Sequence, residues 1–170
     1  MKKLVIWTLL LTAGLISAPA FAAGEKIGYV DLARIFDEYQ KTKDFDKTLE
    51  GKGQAKQSDR DKMVNEVKKL RDEAELLSAK AKDDKQAVID ERIKALQEFD
   101  RVTRDDLRKQ RDVMVRDILK EIETVIQDFG KAQSYSFIFN DRVLVFKSEG
   151  SDLTAQVIKT LNDGYAIKKK

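Results

Sequence analysis

Between Glu38 and Ala132 the chain contains no proline, and two long stripes of apolar residues run through this stretch in mirror order. In the first half Met63, Val67, Leu70, Ala74, Leu77 and Ala81 recur at alternating steps of 4 and 3 residues, the spacing of a coiled-coil seam. The second half carries Ile89, Ile93, Leu96, Thr103, Leu107, Met114, Ile118, Ile122, Val125 and Phe129. The position numbers of Ala81 with Ile89, Leu77 with Ile93, Ala74 with Leu96, Val67 with Thr103 and Met63 with Leu107 add to 170 in every case, and Phe45 with Val125 extends the relation. A constant sum is the condition for an antiparallel pair, because a step back along one helix is a step forward along the other. The stretch therefore reads as a helical hairpin.

Half of that constant falls at Lys85, which places the tip near 82–86, with Asp83 and Gln86 as a capping-box variant in place of a glycine turn. The competing arrangement is one straight helix pairing antiparallel with a second chain. Arms of about 45 residues reach roughly 65 Å at 1.5 Å per residue. Gly51 and Gly53 fall where no large apolar residue occurs between Leu49 and Met63, which predicts a soft section or bend in the first helix.

The two ends must supply whatever the arm projects from. "KIGYVDLARIFDEY" predicts a strand over 26–30 and a helix starting near Asp31. "SYSFIFNDRVLVFKS" predicts a β-hairpin, 135–139 and 143–146, turning at Asn140 and Asp141. "SDLTAQVIKTLN" predicts a short helix capped by Ser151. The fold class is α+β: a long antiparallel helical hairpin, a tentacle, projecting from a small β-rich oligomerisation body. In domain terms, 23–37 and 133–170 form the body and 38–132 the arm. A body this small, with open strand edges, cannot bury a sufficient core alone, so it is expected to oligomerise.

The first 22 residues have the layout of a signal peptide: Lys2 and Lys3, an apolar run from Leu4 to Ile16, then Ala20 and Ala22, with cleavage expected after Ala22. Removing those two lysines leaves 31 basic against 30 acidic residues, so a nucleic-acid partner is not expected. The chain has neither cysteine nor histidine. That excludes thiolate and imidazole metal sites and every His-dependent nucleophile system, and no catalytic residue, metal or cofactor is expected. "DFDKTLEGKG" resembles a calcium loop superficially, but its sixth position is Leu49 where the sharp turn needs glycine.

"KIGYVDLARIF", the charged hairpin, "YSFIFNDRVLVF" and "SDLTAQVIKTLN" together resemble the Skp (OmpH-like) family of periplasmic chaperones, over essentially the whole mature chain. The resemblance implies a homotrimer with a β-barrel body and three tentacles around a cavity, holding unfolded outer-membrane proteins in the periplasm without ATP. Such clients present alternating apolar residues on an unfolded chain, so a holder needs many weak contacts. Val88, Ala95, Phe99, Val102 and Val113 fall together about 100° around the second helix from its seam, and form the candidate client-binding stripe. Packing between arms is the alternative use of that stripe. Near the tip Lys80, Lys82, Lys85, Arg92 and Lys94 are candidates for weak contact with acidic client segments or with anionic lipid or lipopolysaccharide, offset by Asp83, Asp84, Asp90 and Glu91. The alternative function is an exported coiled-coil scaffold that holds no client.

Overall fold

The structure is a computed structural model and describes residues 25–169; the expected signal peptide and its cleavage site lie outside the described residues. Strand β1 (Ile27–Val30) leads through Asp31 into helix α1 (Leu32–Glu38). The Asp31 carboxylate accepts from the Arg34 backbone N–H, at 2.9 Å, and so caps a helix start whose amides have no partner within the helix. The helical path breaks at Tyr39, whose backbone is extended (φ −68°, ψ 124°), and resumes as α2 (Gln40–Glu75). After a three-residue turn, α3 (Ala79–Ala132) runs the full length back. It ends in a Schellman motif, in which Tyr135 N–H donates to the Gly130 carbonyl and Ser134 N–H to that of Lys131, with Ser134 at φ 56°. Strand β2 (Phe137–Asn140) and helix α4 (Thr154–Lys168) complete the chain.

Ion pairs between α2 and α3 report their mutual direction. Glu73 meets Lys85 at 2.6 Å, Glu66 meets Arg92 at 3.2 Å, Arg60 meets Asp100 at 2.9 Å and Lys41 meets Glu121 at 2.6 Å. Residues further back on α2 pair with residues further forward on α3, so the two helices are antiparallel. The register differs from the one the apolar stripes suggested. The turn lies at Leu76, Leu77 and Ser78, not near 82–86, and Lys82 and Lys85 are already inside α3. Leu77, expected opposite Ile93, sits in the turn and is exposed. Phe45, expected opposite Val125, lines a groove with Val113 and Met114.

The displacement amounts to roughly two to three helical turns, and its cause is the periodicity of the seam itself. Sliding one helix by whole turns carries apolar residues from one apolar partner to another. In the register set by Arg60 with Asp100, whose numbers add to 160, Val67 comes level with Ile93 instead of Thr103. The charges are less forgiving. In the displaced register Glu73 would face Gln97 and Lys41 would face Phe129, and both would lose their partners.

The β-hairpin expected over 135–146 is not present. Instead β2 pairs in parallel with β1, Ile27 against Phe137 through Val30 against Asn140. Parallel strands need a long crossover, and here the entire arm provides it. After β2 the Asn140 side chain accepts from Arg142 N–H and the chain tightens into a 3-10 turn at Asp141–Val143. Val143, Val145 and Phe146 consequently form no strand and stand exposed. Ser151 does not cap α4; Asp152 accepts from Thr154 N–H at 2.8 Å, while Thr154 Oγ1 accepts from Asp31 N–H at 2.9 Å and ties α4 to the end of β1. At Gly28 an added Cβ would come to 2.5 Å from a Leu153 methyl carbon and 3.1 Å from the Tyr135 ring, so any larger residue there has to displace the buried Leu153 side chain.

The body core gathers Val30, Ile35, Tyr39, Ile118, Ile122, Leu153, Val157, Ile158 and Leu161 from β1, α1, α3 and α4. Among the described residues two buried side-chain oxygens have no hydrogen-bond partner, Asp141 Oδ1 and the Oγ1 of Thr42, a residue 3 % exposed at the start of α2. An unsatisfied buried hydroxyl costs free energy that a methyl of similar shape does not. Thr42→Val is therefore expected to stabilise the protein by about 1 kcal/mol, seen as a raised thermal midpoint; a fall would mean that the hydroxyl has a partner.

Helix α2 runs unbroken through Gly51 and Gly53, and an added Cβ at either position meets nothing within 4 Å. This is the section expected to be soft. Replacing both by alanine should raise the unfolding free energy by up to about 2 kcal/mol, because alanine loses less backbone entropy in a helix. Urea denaturation measures it, and no gain would mean that this section is not helical in solution.

Candidate functional site

Beyond the body, α2 and α3 continue as a two-helix arm of about 45 Å from Phe45 to the turn. Its seam is filled from within the chain: Val67, Ala74 and Ile89 are buried, with Met63, Leu70, Ile93 and Leu96 half-buried around them. The arm therefore needs no partner along that line.

A second apolar line remains outside the seam. Val88, Ala95 and Val102 follow one another at seven-residue steps along α3 and Val113 continues their face; all are exposed, the three valines by more than 40 %. Phe99 departs from this group. It is half-buried, and Lys56 Nζ lies over its ring at 5.6 Å from the centroid, in the groove that also holds Arg60 and Asp100. Phe99 thus belongs in part to the contact between α2 and α3.

The tip charges divide similarly. Lys80, Lys82 and Lys94 are exposed. Lys85 and Arg92 are instead engaged by Glu73 and Glu66, and the Lys85 hydrogen bond, followed by its charge, holds the Glu73 carboxyl below the ordinary carboxylate range. These two cations hold the arm together. Sequence reasoning missed Leu76, which is 89 % exposed at the extreme end of the arm. It lies off the seam spacing, and the serine at position 78, a residue type favoured at helix starts, was the available signal for a turn there.

On the body, the outer side of the sheet is uncovered. Ile27, Phe137 and Phe139 are each at least 40 % exposed, and the two phenylalanine rings lie 6.0 Å apart. Val143, Val145 and Phe146 follow immediately and are more exposed still.

At the junction of arm and body the electrostatics are tight. Burial pushes the Glu121 carboxyl upward, but the hydrogen bond and charge of Lys41, with Tyr39 and Lys168, outweigh it and the net shift is downward. Burial, then the Glu121 charge, raises the Tyr39 phenol above its ordinary value. The Lys169 hydrogen bond, then that of Gln40, brings the Asp44 carboxyl down to about 2.

An arm complete along its own seam but apolar along an outer line, set on a small body with an uncovered sheet, defines a protein that offers an extended surface in place of a deep pocket. The chain belongs to the OmpH-like outer membrane protein family, whose family model, described as Outer membrane protein (OmpH-like), matches residues 26–161. It is also similar to a solved structure from Caulobacter crescentus CB15, described as a candidate outer membrane chaperone (OmpH-like), with a TM-score of 0.71 and 17 % identity over 82 % of this chain and 85 % of that one. At that identity the likeness concerns the fold. No curated protein matches the sequence.

Proposed function

We propose that this chain is an ATP-independent holding chaperone of the periplasm that keeps unfolded outer-membrane β-barrel proteins from aggregating. The observation that carries the reading is the exposed line of Val88, Ala95, Val102 and Val113 on an arm whose own seam is already filled. Single exposed apolar residues are ordinary, but a straight row repeated over several turns gives an unfolded chain a series of shallow contacts. Each contact is weak, so release needs no energy source.

The working unit in this reading is a homotrimer. The exposed Ile27, Phe137, Phe139, Val143, Val145 and Phe146 support association of the bodies, because a contiguous apolar sheet face beside open strand edges is a surface that a partner chain gains by covering. Arms leaving associated bodies on one side then enclose a space. At the tip, Leu76 beside Lys80 and Lys82 suits weak contact with anionic lipid headgroups or lipopolysaccharide.

The test is dilution of a urea-denatured outer-membrane β-barrel protein into buffer with and without this protein. Light scattering is expected to be suppressed at about one trimer per client, and the client is expected to co-elute with the trimer. Undiminished aggregation at excess protein would reject the reading in favour of a scaffold that holds no client.

A further inference from the structure

Where α1 gives way to α2, the break at Tyr39 leaves a carbonyl and an amide without their helical partners, and one side chain takes both. The Gln40 backbone N–H donates to Asn162 Oδ1 at 2.8 Å, and Asn162 Nδ2 donates to the Glu38 carbonyl at 3.4 Å. Around this bracket the last turns of α4 grip the base of α2. Tyr165 donates its hydroxyl to Asp44 Oδ2 at 3.2 Å, Lys169 donates to the same oxygen at 2.7 Å, and the Tyr39 and Tyr165 rings meet edge-on at 5.8 Å.

Two antiparallel helices bend as a pair only if one slides along the other. With axes 8–10 Å apart, a bend of about 10° requires a slip of about 1.5 Å. The turn at Leu76–Ser78 closes the far end, so sliding has to occur at the near end, where Asn162 holds the first residue of α2. A slip of that size takes a hydrogen bond of 2.8 Å beyond bonding range. We propose that Asn162 is a base lock of the arm, a positioning residue that prevents α2 from sliding along α3 and thereby sets how far the arm bends. The use of that stiffness, limiting how wide the arms open around a client, rests on the function proposed above; the lock itself is measured without any client.

The chain has no cysteine, so nitroxide labels can be placed on single introduced cysteines at Asn65 on α2 and Gln156 on α4, both exposed. Labelled chains diluted in excess unlabelled protein report distances within one chain. With the lock intact a narrow distance distribution is expected. In Asn162→Ala the distribution should broaden or shift by about 6 Å, the displacement of Asn65 for a 10° bend at the base. Asn162→Asp, which keeps the acceptor for Gln40 but loses the donor to Glu38, should lie between the two and serves as the readout if the alanine variant does not fold. Val157→Ala, which thins the core on the same helix, should lower stability and leave the distribution narrow. An unchanged distribution in the folded Asn162 variants, or equal broadening in Val157→Ala, would overturn the proposal.

Discussion

Truncating Ile118 to alanine is expected to destabilise the protein by about 2–5 kcal/mol. Ile118 is fully buried and lies in one cluster with Ile35, Tyr39, Ile122 and Val157, at the point where α3 passes from arm into body. Its loss removes apolar burial and leaves a cavity that α1 and α4 cannot close without giving up the Asn162 and Thr154 hydrogen bonds. Small domains have a total stability of only about 5–15 kcal/mol, so this one change consumes a large share. Urea denaturation should show the midpoint falling with little change in slope. Leu107, half-buried in the open part of the arm, should cost clearly less on the same substitution. Equal costs at the two positions would contradict a core concentrated in the body.

Replacing Val88, Val102 and Val113 together by serine is expected to weaken retention of an unfolded β-barrel client at least tenfold. Each valine is more than 40 % exposed, so little native packing is lost and the thermal midpoint should move by only a degree or two, on the order of the effect of surface substitutions. Loss of about 0.5–1 kcal/mol of partial burial at each of three contacts exceeds the 1.4 kcal/mol that corresponds to a factor of ten. Phe99 is left in place because its contact with Lys56 belongs to the arm's own structure. Client dissociation rates measured with a fluorescent β-barrel protein give the result. Unchanged retention in a folded variant would remove this face from the binding surface, and a large fall in stability would assign it to the interior.

The two expectations separate residues that hold the object together from residues it can spare. Lys85 and Arg92 illustrate why the distinction needed coordinates. In the sequence they are two more cations near the middle of a charged stretch; in the structure they are fastened to Glu73 and Glu66, and only Lys80, Lys82 and Lys94 of the five tip candidates remain unengaged. Charge pairing across two helices depends on register, and register was the quantity the stripes left undetermined.

The linear chain by itself determined the two helical stripes, a strand over 26–30 that is observed at 27–30, a helix starting near Asp31 and, with the exception of the half-buried Phe99, the outward position of the stripe Val88, Ala95, Val102 and Val113, because all of these follow from local periodicity or from signals a few residues long. It did not determine where the arm turns. A seam with steps of 3 and 4 is nearly unchanged by a shift of whole turns, and only the long-range pairs Glu73 with Lys85, Arg60 with Asp100 and Lys41 with Glu121 single out one register. Nor did it determine the partner of β2. A segment such as 137–146 can pair with its own continuation or with β1, and the choice follows from α3 returning the chain beside β1, with Ile138 packed on Gly130 and Leu153 N–H bonded to the Tyr29 carbonyl. Local chemistry writes elements and faces; which elements meet, and at what register, is settled only when distant residues come into contact.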